Sequence, residues 1–158
     1  MKTFLPVALA VILIACDASR VYEQNHDFTN RWWTVSEQPR FEFSISDTTV
    51  PYALYLNVRN ESVYPYANLY VTYHLLDSAG KELHQKLITG FLFDKKSGKP
   101  LGQSGIGDIY DHRFLLLNNH VFPYSGRYTM RFEQFMRADT LKGILAVGLR
   151  VERQGEPH

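Results

Sequence analysis

From Arg40 onward the chain alternates apolar and polar residues with a period of two. Phe41, Phe43 and Ile45 alternate with Glu42, Ser44 and Ser46. Tyr52, Leu54, Leu56 and Val58 form a second such series, and Leu69, Val71, Tyr73 and Leu75 a third. Tyr128, Met130 and Phe132 repeat the pattern, and Leu145, Val147, Leu149 and Val151 close it. Successive strand side chains point to opposite faces, so each segment can bury one face and wet the other. Leu83–Phe93 and Tyr110–Leu117 are weaker strand candidates. Between the segments lie Pro, Gly, Asn, Asp and Ser, the residues of turns. No stretch after residue 40 shows a long capped 3.6-residue period, although a short helix fits Met136–Lys142. The pattern predicts an all-β chain: a single antiparallel β-sandwich of about seven or eight strands, with a jelly roll as one arrangement open to it.

The segment before residue 39 reads differently. Phe4–Ala15 is an uncharged apolar run behind Lys2, as in a secretory signal. It is shorter than the roughly 20 apolar residues that span a bilayer. Leu13-Ile14-Ala15-Cys16 has the form of a lipobox: a branched apolar residue, a small residue at the cut, then a cysteine whose thiol takes the lipid. Cys16 is the single cysteine of the chain, so an internal disulfide is closed to it. Residues 1–15 are therefore expected to be a signal peptide, 16–38 a lipidated N-terminus and tether, and 39–158 the β-sandwich domain. Lipid chains contribute about 0.8 kcal/mol per buried methylene. Several chains on one cysteine would anchor the protein to the membrane without spanning it.

Charge narrows the partners. The precursor carries 17 Lys+Arg and 16 Asp+Glu. Residues 1–15 hold one lysine and no acid, so the mature chain has 16 of each. Neutrality argues against nucleic acid, which selects a basic face, and against a polybasic hold on anionic lipid.

Motifs for chemistry are few. Gly98-Lys99 is followed by Pro100, which breaks the phosphate-loop pattern, and Gly102, Gly105 and Gly107 follow G-x-x-G-x-G where dinucleotide sites need G-x-G-x-x-G. This stretch reads first as a loop needing unusual backbone angles. With Asp108 it is also a candidate partner-binding loop, because binding sites favour irregular loops on rigid scaffolds. The six histidines form no short metal-ligand spacing, so no metal site is expected. Asp111-His112 with Asp108 is the one combination that could hold a metal or act as a base, but neighbours on a strand face opposite ways. No G-x-S-x-G is present, and Cys16 is committed to lipid, so no nucleophile is nominated. Carboxylate pairs for sugar hydrolysis need only meet in space, and nothing in the chain nominates one. No cofactor beyond the covalent lipid on Cys16 is expected. Tyr55, Tyr64, Tyr66, Tyr70 and the Trp32-Trp33 pair are less clearly inward than the other aromatics. Tyr64, Tyr66 and Tyr70 are a candidate contact for a protein. Exposed rings could also stack on glycan, which makes a carbohydrate-binding sandwich the alternative reading. A satellite cluster over the core competes with both.

Several of these pieces, taken in order, resemble the gliding-motility lipoprotein family GldH. They are Asp47-Thr-Thr-Val-Pro-Tyr52 leading to Leu54–Asn60, Tyr64-Pro-Tyr-Ala-Asn68, and Leu101–Ile109 around its glycines. Val121-Phe-Pro-Tyr-Ser-Gly126-Arg-Tyr128, Glu133–Arg137 and the Ile144–Glu152 strand complete the set. The resemblance implies a small cell-envelope lipoprotein needed for gliding, tied to type IX secretion, with gliding or secretion proteins and the membrane as partners. It implies no enzymatic activity, and Cys16 is the one position with a role to carry over. Asp17-Ala-Ser-Arg20 lacks an acidic run of the kind that sends lipoproteins to the cell surface, so the periplasmic face of the outer membrane is the expected place.

Overall fold

A computed structural model describes residues 17–155. Cys16 and the expected signal peptide lie outside the described residues. In chain order, β1 is Arg20–Asp27, β2 Trp32–Thr34, β3 Arg40–Ile45 and β4 Tyr52–Glu61. β5 is Asn68–Leu76, β6 Glu82–Phe91, β7 Gln103–Ser104 and β8 Ile109–His120. β9 is Gly126–Gln134, β10 Thr140–Lys142 and β11 Ile144–Arg153. No helix among the described residues is long and apolar enough to cross a membrane.

Two sheets carry the domain. One has the order β1-β11-β4-β8-β7, the other β3-β9-β5-β6, and β10 pairs with β2 in a small ribbon. Eight strands have six or more residues, while β2, β7 and β10 have two or three. Numbering those eight in order, the sheets read 1-8-3-6 and 2-7-4-5. Each pair is antiparallel: first with eighth, second with seventh, third with sixth, fourth with fifth. This nested pairing is a long two-stranded ribbon wound over itself, the jelly-roll form of the sandwich.

The alternation explains the core. In β3, Phe41, Phe43 and Ile45 are buried and their neighbours exposed. The inward rows of β4, β5 and β9 supply Leu54, Leu56, Val58, Leu69, Val71, Tyr73, Met130 and Phe132 to the same apolar layer. Tyr52, Phe43, Tyr128 and Phe122 close one end of it, with Phe122 and Tyr128 centroids 4.5 Å apart and Tyr52 and Phe122 5.5 Å apart. At the other end Phe28 stacks on the fully buried Trp33 at 5.5 Å. Trp33 Nε1 donates to the Glu37 carbonyl at 2.7 Å, so its polar edge stays satisfied.

Three expectations need correction. Residues 16–38 are not a tether beyond Ser19: β1 pairs with β11 along its length, and β2 carries Trp33 into the core. The domain therefore starts at Arg20 and not at residue 39. β1 shows no clean alternation because it is an edge strand with most of its side chains wet. Met136–Lys142 forms no helix; bends lead into β10. The buried Gln134 accepts from the Met136 amide at 2.8 Å and donates to the Ala138 carbonyl at 3.0 Å, supplying side-chain bonds where a helix would use its own backbone. In β11, a bulge between Ile144 and Ala146 turns Ile144, not Leu145, into the core.

Candidate functional site

The two candidate contacts named from sequence lie near one end of the sandwich, where β4 ends and β8 begins. Gly105 donates its amide to the Ile109 carbonyl at 2.8 Å, and Gln103 and Ser104 pair with β8, so the glycine-rich stretch is a tight hairpin. Gly107 has φ +71°, a conformation that a side chain disfavours. Gly102 lacks that angle, but a Cβ there would sit 2.6 Å from His112 Nε2 and 2.7 Å from the Asp111 carbonyl. Gly102 is thus needed for close packing. The Asp108 carbonyl accepts from the Ser62 amide at 3.0 Å, tying the hairpin to the end of β4. The residue this loop presents most openly is Ile106, at 93% exposure, which the sequence reading missed. Its signal was an isoleucine set between two turn glycines.

The tyrosine contact is also altered. Tyr64 is buried; its hydroxyl donates to the Asn68 carbonyl at 3.0 Å, and burial pushes its phenol upward. It holds the β4–β5 connection and supports Tyr66, whose ring meets it edge-on at 5.5 Å. Tyr66 and Tyr70 are each 40% exposed and do form a surface. With Leu87, Phe135, Met136 and Arg137 they line a groove of about 440 Å³ on the outer face of the β3-β9-β5-β6 sheet. Phe135 and Met136 reach it by continuing the β9 ladder: the Phe135 amide donates to the Tyr70 carbonyl at 2.8 Å, and the Tyr70 amide lies 3.3 Å from Met136 Sδ. Phe91, 42% exposed, sits at the β6 end opposite Asn68, with the Lys95 ammonium 4.8 Å above its ring. Leu87, Phe91, Phe135 and Met136 were not singled out from sequence: Leu83–Phe93 was a weak strand candidate with no clear face, and Met136 was assigned to a short helix that does not form. Of the Trp32-Trp33 pair, Trp33 is entirely core.

The other outer face is polar. A cleft of about 780 Å³ runs over the five-stranded sheet beside Glu23, Asn25, Asn57, Arg59, Asp111 and Arg113. Its charges are paired. Arg150, itself buried, bonds Glu23 at 2.7 Å and also reaches Asp17 and Glu152. Arg59 Nε bonds Asp111 at 2.8 Å, and Asn57 donates to Glu23 at 3.1 Å. Asp17 is held down to about 2 by its Ser19 hydroxyl bond and then by Arg150. Burial pushes Glu23 up, but its bonds to Arg150 and Arg20 more than offset this and leave it lowered. This face is a ladder of satisfied ion pairs across β1, β11, β4 and β8.

Asp111 and His112 point to opposite faces, Asp111 toward Arg59 and His112 into the interior. Burial holds the His112 imidazole below its usual range, and the same cause lowers His120, whose ring lies 5.2 Å from that of His84. Among the described residues no three His, Cys, Asp or Glu side chains gather as a metal site.

Comparison with known proteins finds relatives along most of the chain. A gliding motility lipoprotein GldH homolog of Christiangramia forsetii is 29% identical over 159 aligned positions, covering 96% of this chain and 95% of that one. The gliding motility lipoprotein GldH of Flavobacterium johnsoniae is 25% identical, with 92% of each chain covered. Among solved structures, the infectious bursal disease virus VP2 subviral particle aligns at a TM-score of 0.42 and 14% identity, over 94% of this chain and 37% of that one. The family profile described as GldH lipoprotein matches residues 20–151, from the first residue of β1 to near the end of β11. The chain belongs to the GldH lipoprotein family.

Proposed function

We propose that this protein is a non-enzymatic component of the gliding machinery, associated with type IX secretion, that works by holding protein partners beside a membrane. The observation that carries this reading is the family match over nearly the whole domain. Both relatives are named for gliding motility. The lipobox Leu13–Cys16 supplies the attachment, a lipid on Cys16, and the segment after it fits the periplasmic face of the outer membrane. A tether confines the domain to a plane and raises its effective concentration for neighbours there. The apolar groove beside Tyr66 and Tyr70 supports protein contact, because contiguous exposed apolar surface on a small domain marks interaction sites.

The test is a deletion strain scored for spreading on agar and for secretion of surface adhesins. Loss of spreading, restored by the gene on a plasmid, is expected. Normal spreading and secretion without the gene would defeat the proposal. A second reading, glycan binding, draws on the exposed rings of Tyr66, Tyr70 and Phe135. Retention of the purified domain on a cell-wall glycan column, lost in Tyr70→Ala, would favour it.

A further inference from the structure

We propose that the groove beside β6 receives an extended, acidic and apolar segment of a protein partner, presented on the side of the domain turned away from the anchoring membrane. This rests on the protein-contact reading above and adds the site, the direction and the chemistry of the partner.

Direction follows from the strand register. The Arg153 amide donates to the Ser19 carbonyl, Arg20 stands opposite Glu152, and Arg153 stands opposite Tyr52. The chain therefore enters at the end of the sandwich marked by Tyr52 and His120. Asp17 reaches Arg150 on the outer face of the five-stranded sheet, so the entry lies on that side as well. β4 then runs ten residues, about 30 Å, before Glu61 meets Ile109 at the other end. Asn68, Phe91 and Gln134 belong to this far end. Tyr66, Tyr70, Phe135 and Met136 gather there on the outer face of the opposite sheet. Entry and groove are thus diagonally opposed, separated by the strand length and by the thickness of two sheets. The four residues from Cys16 to Ser19 extend at most about 14 Å. That reach does not bring the groove to the bilayer holding Cys16.

The chemistry follows from the groove's charges. Arg137 stands in its wall, and Lys95 lies over Phe91, which shares with Leu87 the outer face of β6. The ion pairs among the described residues use other cations. On the same face, the carboxylates Glu82 and Glu133 already lie against His74, at 2.5 and 3.4 Å. The groove and its rim thus offer apolar walls and two cations, Arg137 and Lys95, outside these ion pairs, a match for a segment that mixes acids with apolar side chains. β6 is also the outermost strand of its sheet, ten residues long, and an unpaired edge takes up extended chains.

The experiment uses the full-length protein in its own cells. A photoreactive amino acid replaces Leu87 or Phe135, and Val121, exposed at the anchored end, serves as the control. Captured peptides are read by mass spectrometry. Leu87 and Phe135 should yield one discrete peptide carrying Asp or Glu with apolar residues, absent at Val121, and Lys95→Glu with Arg137→Glu should abolish its capture. Capture of lipid or glycan, no capture, equal capture at Val121, or indifference to the charge reversals would overturn the inference. A Leu87→Asp, Phe135→Asp strain with normal protein level should lose spreading. If it spreads like wild type while the deletion strain does not, the groove assignment fails and the gliding role stands. If the deletion strain itself spreads, the role fails.

Discussion

Single residues decide how this domain tolerates change. Gly102 leaves space for the His112 ring and the Asp111 carbonyl, both under 3 Å from where a Cβ would be. Gly102→Ala should therefore destabilise the fold by about 1–3 kcal/mol, the usual cost of overpacking. A lower urea midpoint would show it, and an unchanged midpoint would show that the β7–β8 hairpin can shift freely. Gly107→Ala is strained for another reason, its φ of +71°, with open space around it. Titration adds a second residue-level effect. Burial holds His112 and His120 below the ordinary histidine value, so around that value the folded state binds fewer protons than the unfolded one. Stability should fall as pH drops through the ordinary histidine value of 6.5. Asp17, lowered from 3.8 to about 2, adds a further loss that begins near pH 4 and runs toward pH 2. Urea midpoints at pH 7.5 and 5.5 should differ, and His112→Gln with His120→Gln should flatten that slope. An undiminished slope in the double variant would assign it elsewhere. Of the candidate site residues, Tyr66 and Tyr70 were legible as surface aromatics, while Tyr64 was not separable from them. Its burial depends on the turn that brings its hydroxyl to Asn68, and sequence spacing does not encode that.

At the level of elements, legibility followed burial. β3 stood out because one face is core and the other water. β11 was recognisable but shifted at its start, since Ala146, Gly148 and Arg150 on its outer face are covered too and a bulge resets the register. β1 was invisible to alternation because its ties are polar: Glu23 and Asp17 meet Arg150, and Asn25 lies over Gly148. That gives a prediction specific to this strand. Arg150→Met would remove the cation that Asp17, Glu23 and Glu152 share, leaving Glu23 to Arg20 and Arg113 and Glu152 to Arg113. Breaking a buried pair costs about 3–5 kcal/mol. Discounted for the partial exposure of the three acids, the effect should be nearer 1–3 kcal/mol, and hydrogen exchange should rise in β1 before β4. Uniform protection in both strands would mean that backbone pairing alone holds β1. Trp33→Ala should cost about 3–5 kcal/mol, because it empties a fully buried site beneath Phe28.

The whole molecule is polarised. Its chain entry, its paired charges and the Tyr52–Phe122–Tyr128 cluster mark the end and side nearest the anchor. Of its exposed apolar residues, Tyr66, Tyr70, Phe91, Ile106 and Phe135 lie toward the other end, while Val121 and Tyr124 are scattered at the anchored one. Such a layout suits a domain that is pinned by lipid and reaches outward to protein, and it makes the anchor and the groove separately testable. The anchor is the more direct test of the account as a whole. A deletion strain is complemented with the wild-type chain or with Cys16→Ser, and each strain is scored for membrane fractionation and for spreading. Wild type should enter the membrane fraction and restore spreading, whereas Cys16→Ser should stay unlipidated, leave that fraction and fail to restore it. A Cys16→Ser protein that fractionates with membranes and supports spreading like wild type would contradict the account.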